Sequence, residues 1–182
     1  MFGIKTVLDK YKLYGAYHWR WYGRRLTYTR HVDFLKRWVG ERNTLQIGAG
    51  DGLIVAKLGI KGVDNNLYAH KLAMNRRVKV DCIKGNRLPY EKGQFDSALI
   101  SDNLASFKNL TQALNETKRV ITKYLYIATG IGNKPVYGPG TYHQWKTPQK
   151  LISEVQKNGF KLVGDPIYKV DRKRYYFKFE KA

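Results

Sequence analysis

Thr44-Leu45-Gln46-Ile47-Gly48-Ala49-Gly50-Asp51-Gly52-Leu53-Ile54-Val55 is the stretch on which the reading of this chain turns. A short apolar strand runs into glycines at alternate positions, and an apolar helix follows. Glycines here let the backbone approach a ligand closely, and a helix start presents N–H groups to negative charge. A second apolar stretch, Leu58 to Val63, ends in Asp64, twelve residues after Gly52. In nucleotide-binding α/β folds an acid at the tip of the second strand takes ribose hydroxyls. The dinucleotide fingerprint G-x-G-x-x-G would need its third glycine at position 53, which is Leu53. The pattern is instead G-x-G-x-G.

Downstream order carries the reading further. Gly85-Asn86-Arg87-Leu88-Pro89-Tyr90, Phe95-Asp96-Ser97-Ala98-Leu99-Ile100, the run from Arg119-Val120-Ile121 to Thr129, and Asn158-Gly159-Phe160 follow in that sequence. With the glycine turn and Asp64 in front, the chain resembles a class I S-adenosylmethionine-dependent methyltransferase of the small single-domain type. The resemblance covers roughly residues 43–181. Tyr17-His18-Trp19, with Tyr28 and His31, resembles the lead-in of some small members. It implies a Rossmann-like three-layer sandwich. The sheet would be mostly parallel and seven-stranded, ending in an antiparallel pair, with helices on both faces.

Periodicity gives the same class. Helical spacing marks 4–14, 31–39, 52–58, 67–76, 110–120 and 148–157, the last opened by Pro148; strand patterns fall at 44–47, 62–64, 78–83, 95–101, 124–129, 161–163 and 175–180. Strand–helix alternation predicts a parallel sheet covered on both faces. The 182 residues suit one domain, with 1–42 a helical N-terminal cap and 43–182 the core. Cys82, the single cysteine, sits in an apolar run and is expected in the core. No stretch approaches the apolar length of a membrane span, and no secretory apolar region opens the chain, so an intracellular, cytoplasmic protein without a membrane partner is expected.

Charge is the second signal. Lysine and arginine number 34 against 14 acids, giving +20, and residues 1–42 carry ten cations against three acids. The run from Arg20 to Arg30 interleaves cations with Trp21, Tyr22 and Tyr28, a combination that can meet phosphates and stack on bases. A second cluster joins Arg172-Lys173-Arg174 to Tyr175 and Tyr176. RNA or DNA is therefore a candidate partner; a solvated basic surface is the plain alternative.

The resemblance implies S-adenosylmethionine as cofactor and a set of residues to hold it. Gly48, Ala49, Gly50 and Gly52 would pass under its methionine portion, with Gln46 and Ser101 nearby. Asp64 would take the ribose hydroxyls with Asn65 beside it. Asn86 would face the adenine amine, and Leu88 would flank the ring. Tyr17 or Trp19 would steady the sulfonium by cation–π attraction. Candidate bases are His143, His18 and Asp102, needed only if the acceptor is a hydroxyl or a protonated nitrogen. No metal-ligand spacing is present. Gln46 stands where the family usually has an acid, and Asp102-Asn103-Leu104 where many relatives carry L-E-H; the N/D-P-P-Y motif of amino-directed methylation is absent. Methyl transfer is the favoured reading, its acceptor leaning to nucleic acid over a small molecule such as a sugar, quinone or metabolite. The small-molecule reading predicts an enclosed pocket under residues 1–42 and the 130–147 loop. A degenerate methyltransferase fold serving as a basic nucleic-acid-binding or assembly subunit is the non-enzymatic alternative.

Overall fold

The computed structural model describes residues 7–40, 43–83, 87–132, 141–169 and 174–182. The helices are α1 (Val7–Tyr14), α2 (Tyr17–Trp21), α3 (Leu26–Trp38), α4 (Leu53–Leu58), α5 (Leu67–Met74), α6 (Leu110–Val120) and α7 (Pro148–Lys157). The strands are β1 (Thr44–Ile47), β2 (Lys61–Asp64), β3 (Val80–Cys82), β4 (Phe95–Ser101), β5 (Ile121–Thr129), β6 (Phe160–Leu162), β7 (Ile167–Lys169) and β8 (Arg174–Lys181). They form one sheet in the order β3-β2-β1-β4-β5-β8-β6, with β7 also paired to β8. Pairing is parallel from β3 to β5, while β8 runs antiparallel to β5, β6 and β7. The class I three-layer architecture is thus present, with eight strands among the described residues rather than seven.

The extra strand has a local cause. Leu162 pairs with Phe179 and Ile167 with Tyr176, so β6 and β7 lie in line along one edge of β8. Val163-Gly164-Asp165-Pro166 interrupts them, and proline donates no ladder hydrogen bond. Three-residue strands of this kind leave too short a period-2 signal to read.

Alternation along the central strands splits the core into two layers. Leu45, Ile47, Ala98, Ile100, Leu125, Ile127, Phe177 and Phe179 pack with Leu114, Leu151 and Val155 of α6 and α7. Leu99, Tyr126, Ala128 and Tyr176 face the other way, against Val32 and Leu35 of α3 and Leu53 and Ile54 of α4. Helix α3 therefore belongs to the sheet's own covering layer. It starts five residues before its expected onset because Tyr28, His31, Val32 and Leu35 make one buried stripe, counting a tyrosine and a histidine as inward residues.

Helix starts follow side-chain chemistry. Asn66 accepts from the N–H groups of Tyr68 and Ala69, Asn109 from Gln112, and Thr147 from Lys150 with Pro148 in the first turn. Cys82 corrects an expectation: it is exposed, as the last residue of the edge strand β3, whereas Val80 two residues earlier is buried.

Candidate functional site

Strand order reverses between β1 and β4, since β2 and β3 extend the sheet to one side and β4 and β5 to the other. Ligands of α/β sheets bind in the crevice at the carboxyl ends of strands flanking such a switch point. Here Gly48 to Gly52 leaves β1, and Asp102-Asn103 leaves β4.

The glycine turn is held by β2. Gly48 and Ala49 both donate to the Val63 carbonyl (2.8 and 3.0 Å), and Gly50 N donates to Asp64 Oδ2 at 2.7 Å. Asp64 Oδ1 accepts from Asn66 N at 2.8 Å. Gly48 and Gly50 are left-handed, and both meet close neighbours. A Cβ on Gly48 would lie 1.4 Å from Asn103 Nδ2, and one on Gly50 would lie 2.1 Å from the Tyr11 hydroxyl. The glycines are thus required by the protein's own packing, since Asn103, just after β4, and Tyr11 of α1 fill the space a side chain would take. Burial pushes the Asp64 carboxyl up from its ordinary range, opposed by the N–H groups of Gly50, Asn66 and Asn65. Asn65 itself is exposed, while Asn66 is buried as the α5 cap.

A cleft lined by Ile47, Gly48, Val63, Asp64, Asn65, Ile83, Leu88, Asn103, Phe107 and Glu116 runs from this turn. Leu88 is buried on its wall and donates its N–H to Glu116 Oε2 at 2.9 Å. Arg119 fixes the same segment, donating to the carbonyls of Leu88 (2.9 Å) and Tyr90 (2.6 Å) and to Glu116 (2.7 Å). Asn86 lies outside the described residues.

Among the described residues two buried acceptors have no donor: Gln46 Oε1, on β1, and Asn103 Oδ1, on the cleft wall. Gln46 is only 2% exposed. An orphaned buried oxygen costs about 1–3 kcal/mol, so Asn103 Oδ1 on the cleft wall fits a ligand that brings an N–H donor. The ammonium of S-adenosylmethionine is such a donor, and a neutral amide oxygen serves it without the usual acid. The residues present fit that cofactor.

The N-terminal helices lie on the turn. His18 N donates to Asp51 Oδ2 (3.0 Å), His18 Nδ1 lies 3.1 Å from Asp51 Oδ1, and Trp19 Nε1 donates to the Asp51 carbonyl (2.8 Å). Asp51 is fully buried. Tyr17 packs among rings, 5.1 Å from Tyr11, 4.2 Å from His18 and 4.9 Å from Trp21. Burial pushes its hydroxyl up to about 12, and those of Tyr11 and Tyr28 rise for the same reason, so all three stay neutral phenols. Arg76 lies over one face of Trp19, 5.5 Å from the ring centre.

The three candidate bases fall in three places. His18 sits on the glycine turn. His143 is tied to the turn after β4: its Nε2 lies 2.9 Å from the Phe107 carbonyl, and its ring stacks on Trp145. Asp102 receives Arg174 Nε at 2.8 and 2.7 Å and Nη2 at 2.6 Å, and its oxygen is 3.9 Å from His31 Nε2. A carboxylate so engaged is not offered as an open base. Ser101 is buried and bonded to His31 Nε2 at 3.0 Å, and Tyr176 holds the other ring nitrogen at 2.8 Å. Ser101 is therefore part of a packed polar network. Among the described residues, no group of three His, Cys, Asp or Glu gathers as a metal site.

Sequence reasoning passed over Tyr11, Asp51, Asn103, Glu116 and Arg119. Their contacts join residues 28 to 55 positions apart, and no local pattern records such partners.

Comparison with known proteins agrees with this geometry. Residues 45–127 match the family described as "Methyltransferase domain". An uncharacterized protein of Methanocaldococcus jannaschii is 29% identical over 151 residues, covering 82% of this chain and 72% of its own length. A Thermotoga maritima S-adenosylmethionine-dependent methyltransferase, described as a possible histamine N-methyltransferase, superposes with a TM-score of 0.78 at 20% identity, covering 97% of this chain and all of its own. Magnesium protoporphyrin IX methyltransferase from Synechocystis, solved with S-adenosylmethionine bound, gives 0.71 at 13% identity, covering 97% of this chain and 95% of its own. The domain match spans β1 to β5, and the solved structures share the class I methyltransferase fold over nearly the whole chain.

Proposed function

We propose that the chain methylates a small-molecule acceptor held between the N-terminal helices and the crevice. The observation that carries this reading is the seating of α2 on the glycine turn, where His18 and Trp19 make three contacts to buried Asp51. A cover seated on the glycine turn is what shields a small acceptor from water. The two methyltransferases compared above are named for small acceptors, histamine and magnesium protoporphyrin IX, which favours the same class.

When bound, S-adenosylmethionine supplies a methyl group already activated on a sulfonium. The protein's work is then alignment and exclusion of water. Gly48 and Gly50 would let the turn pass under the methionine portion, Asp64 would accept from ribose hydroxyls, Leu88 would flank the adenine, and Gln46 and Asn103 would accept from the ammonium. His18, oriented through Nδ1 by Asp51, is the base best placed at the turn for an acceptor that must lose a proton.

A nucleic-acid acceptor is the second reading. It is favoured by the described part of residues 10–83, where eleven lysines and arginines are exposed and no acid is.

Calorimetric titration with S-adenosylmethionine and S-adenosylhomocysteine, beside Asp64→Ala, tests the shared core of both readings. Micromolar binding lost in the variant is expected. No binding by the parent would leave the fold as a non-enzymatic basic subunit. With binding established, methyl transfer to RNA but to no small acceptor would reverse the order of the two readings.

A further inference from the structure

Helices α1, α2 and α5 form one outer layer of the molecule. Tyr11 and Tyr17 pack on Ala69, with Trp21 and Leu72 against them, Arg76 lies over Trp19, and Arg20 donates to the Tyr14 carbonyl. The outside of that layer has an unusual composition. On α5, Leu67 and Met74 are 54% and 58% exposed, and Lys71 lies between them at helical spacing. Tyr68 beside them, and Leu13 and Tyr14 on α1, are exposed as well. Cations accompany them: Lys12, Arg20, Arg76 and Arg77 are exposed, and no acid on these elements is exposed among residues 10–83 that the structure describes.

Exposed aliphatic groups gathered on one layer mark an interaction surface. The cations require an anionic partner; the leucines and methionine require one that offers hydrocarbon. Nucleic acid meets the first demand more readily than the second, because phosphates and base edges offer little hydrocarbon. A partner protein adding a strand at the neighbouring sheet edge is disfavoured too. His70 Nδ1 already lies 2.8 Å from the Val80 carbonyl, and Val80 N donates to the Val78 carbonyl, so the edge of β3 is largely blunted. Leucine and methionine on one side of a helix, ringed by lysine and arginine and flanked by tyrosine, suit the boundary of an anionic bilayer.

We infer that the α1–α2–α5 face docks the protein on a membrane surface carrying anionic headgroups. This departs from the expectation of no membrane partner. Docking of this kind is peripheral: among the described residues no helix is long and apolar enough to cross a bilayer. Helix α2 then has its inner side on the glycine turn and its outer side toward the lipid.

Flotation with vesicles tests this, using phosphatidylcholine alone and phosphatidylcholine mixed with phosphatidylglycerol, at low salt and at about 1 M salt. The parent should float with the anionic vesicles only, and high salt should release most of it. Leu67→Ser combined with Met74→Ser keeps every charge and touches no site residue. It should lower the partition onto anionic vesicles about tenfold or more, with unchanged melting temperature and unchanged S-adenosylhomocysteine affinity. Failure of the parent to float on anionic vesicles overturns the inference. So does a double variant that floats like the parent, since attraction would then be charge alone. Adding an RNA homopolymer gives the rival outcome. If RNA strips the parent from the vesicles and binds the double variant equally well, the face is a nucleic-acid surface. None of these readouts depends on catalysis, so they stand apart from the proposed methyl transfer.

Discussion

The two turns that flank the crevice solve one problem by opposite means. After β1 the chain bends through Gly48, whose φ is 75°; after β4 it bends through Asp102, whose φ is 59°. Glycine takes the left-handed region without steric cost, whereas an L residue loses roughly 1–2 kcal/mol there. Asp102 is held by Arg174, which grips both carboxylate oxygens from β8. The first turn is an intrinsic property of a local sequence. The second exists because a strand 72 residues away supplies a cation.

The comparison can be broken most severely at Gly48. Gly48→Ala puts a Cβ against Asn103 in a backbone conformation alanine resists, so we expect about 2–4 kcal/mol of lost stability. Weakening of S-adenosylhomocysteine binding by about a hundredfold or more should accompany it, read by melting and calorimetry.

Asp64→Ala comes next, with binding weakened about tenfold to a hundredfold. Its effect on stability has a distinct pH signature. The folded carboxyl is raised above its unfolded range by burial, so the folded state holds the proton more tightly. Its contribution is fully present below the unfolded value and is lost as pH rises through the folded one. The parent's stability advantage over Asp64→Ala should therefore shrink from acid toward neutral pH. An advantage that grows instead would mean that the Gly50 and Asn66 N–H groups outweigh burial.

Arg174→Met sharpens the contrast by removing the grip on Asp102. A loss of about 1–3 kcal/mol is expected in denaturant melts. Asp102→Gly should cost less, within about 1 kcal/mol of the parent, because glycine relieves the backbone strain as the ion pair disappears. If Asp102→Gly were the more damaging of the two, the carboxylate would have a role beyond shaping the turn.

His18→Gln has the smallest expected effect on binding, with S-adenosylhomocysteine affinity within about threefold of the parent. Turnover of an acceptor that must lose a proton should fall about a hundredfold. Equal loss of both would make His18 a latch on Asp51 rather than a base.

Legibility followed the same division. The glycine turn, Asp64 and the central strands could be read because their signals are local: alternate glycines, an acid at a strand tip, continuous apolar runs in buried parallel strands. Helix α2 went unseen because five residues, Tyr-His-Trp-Arg-Trp, carry no helical period, and what holds them is Asp51, 33 residues on. Strand β7 was hidden by its length, and the exposure of Cys82 by its place at the sheet edge.

From the sequence alone came the class I architecture, the expectation of a cofactor and the strand ends at which a site is expected. These depend on backbone freedom and hydrophobic period, properties of neighbouring residues. Tertiary structure alone decided that Asn103 faces Gly48, that His18 rests on Asp51, that Asp102 is committed to Arg174, and that aliphatic and cationic groups share an outer face. Each joins residues distant in the chain, and only the packing of whole elements determines which side chains meet.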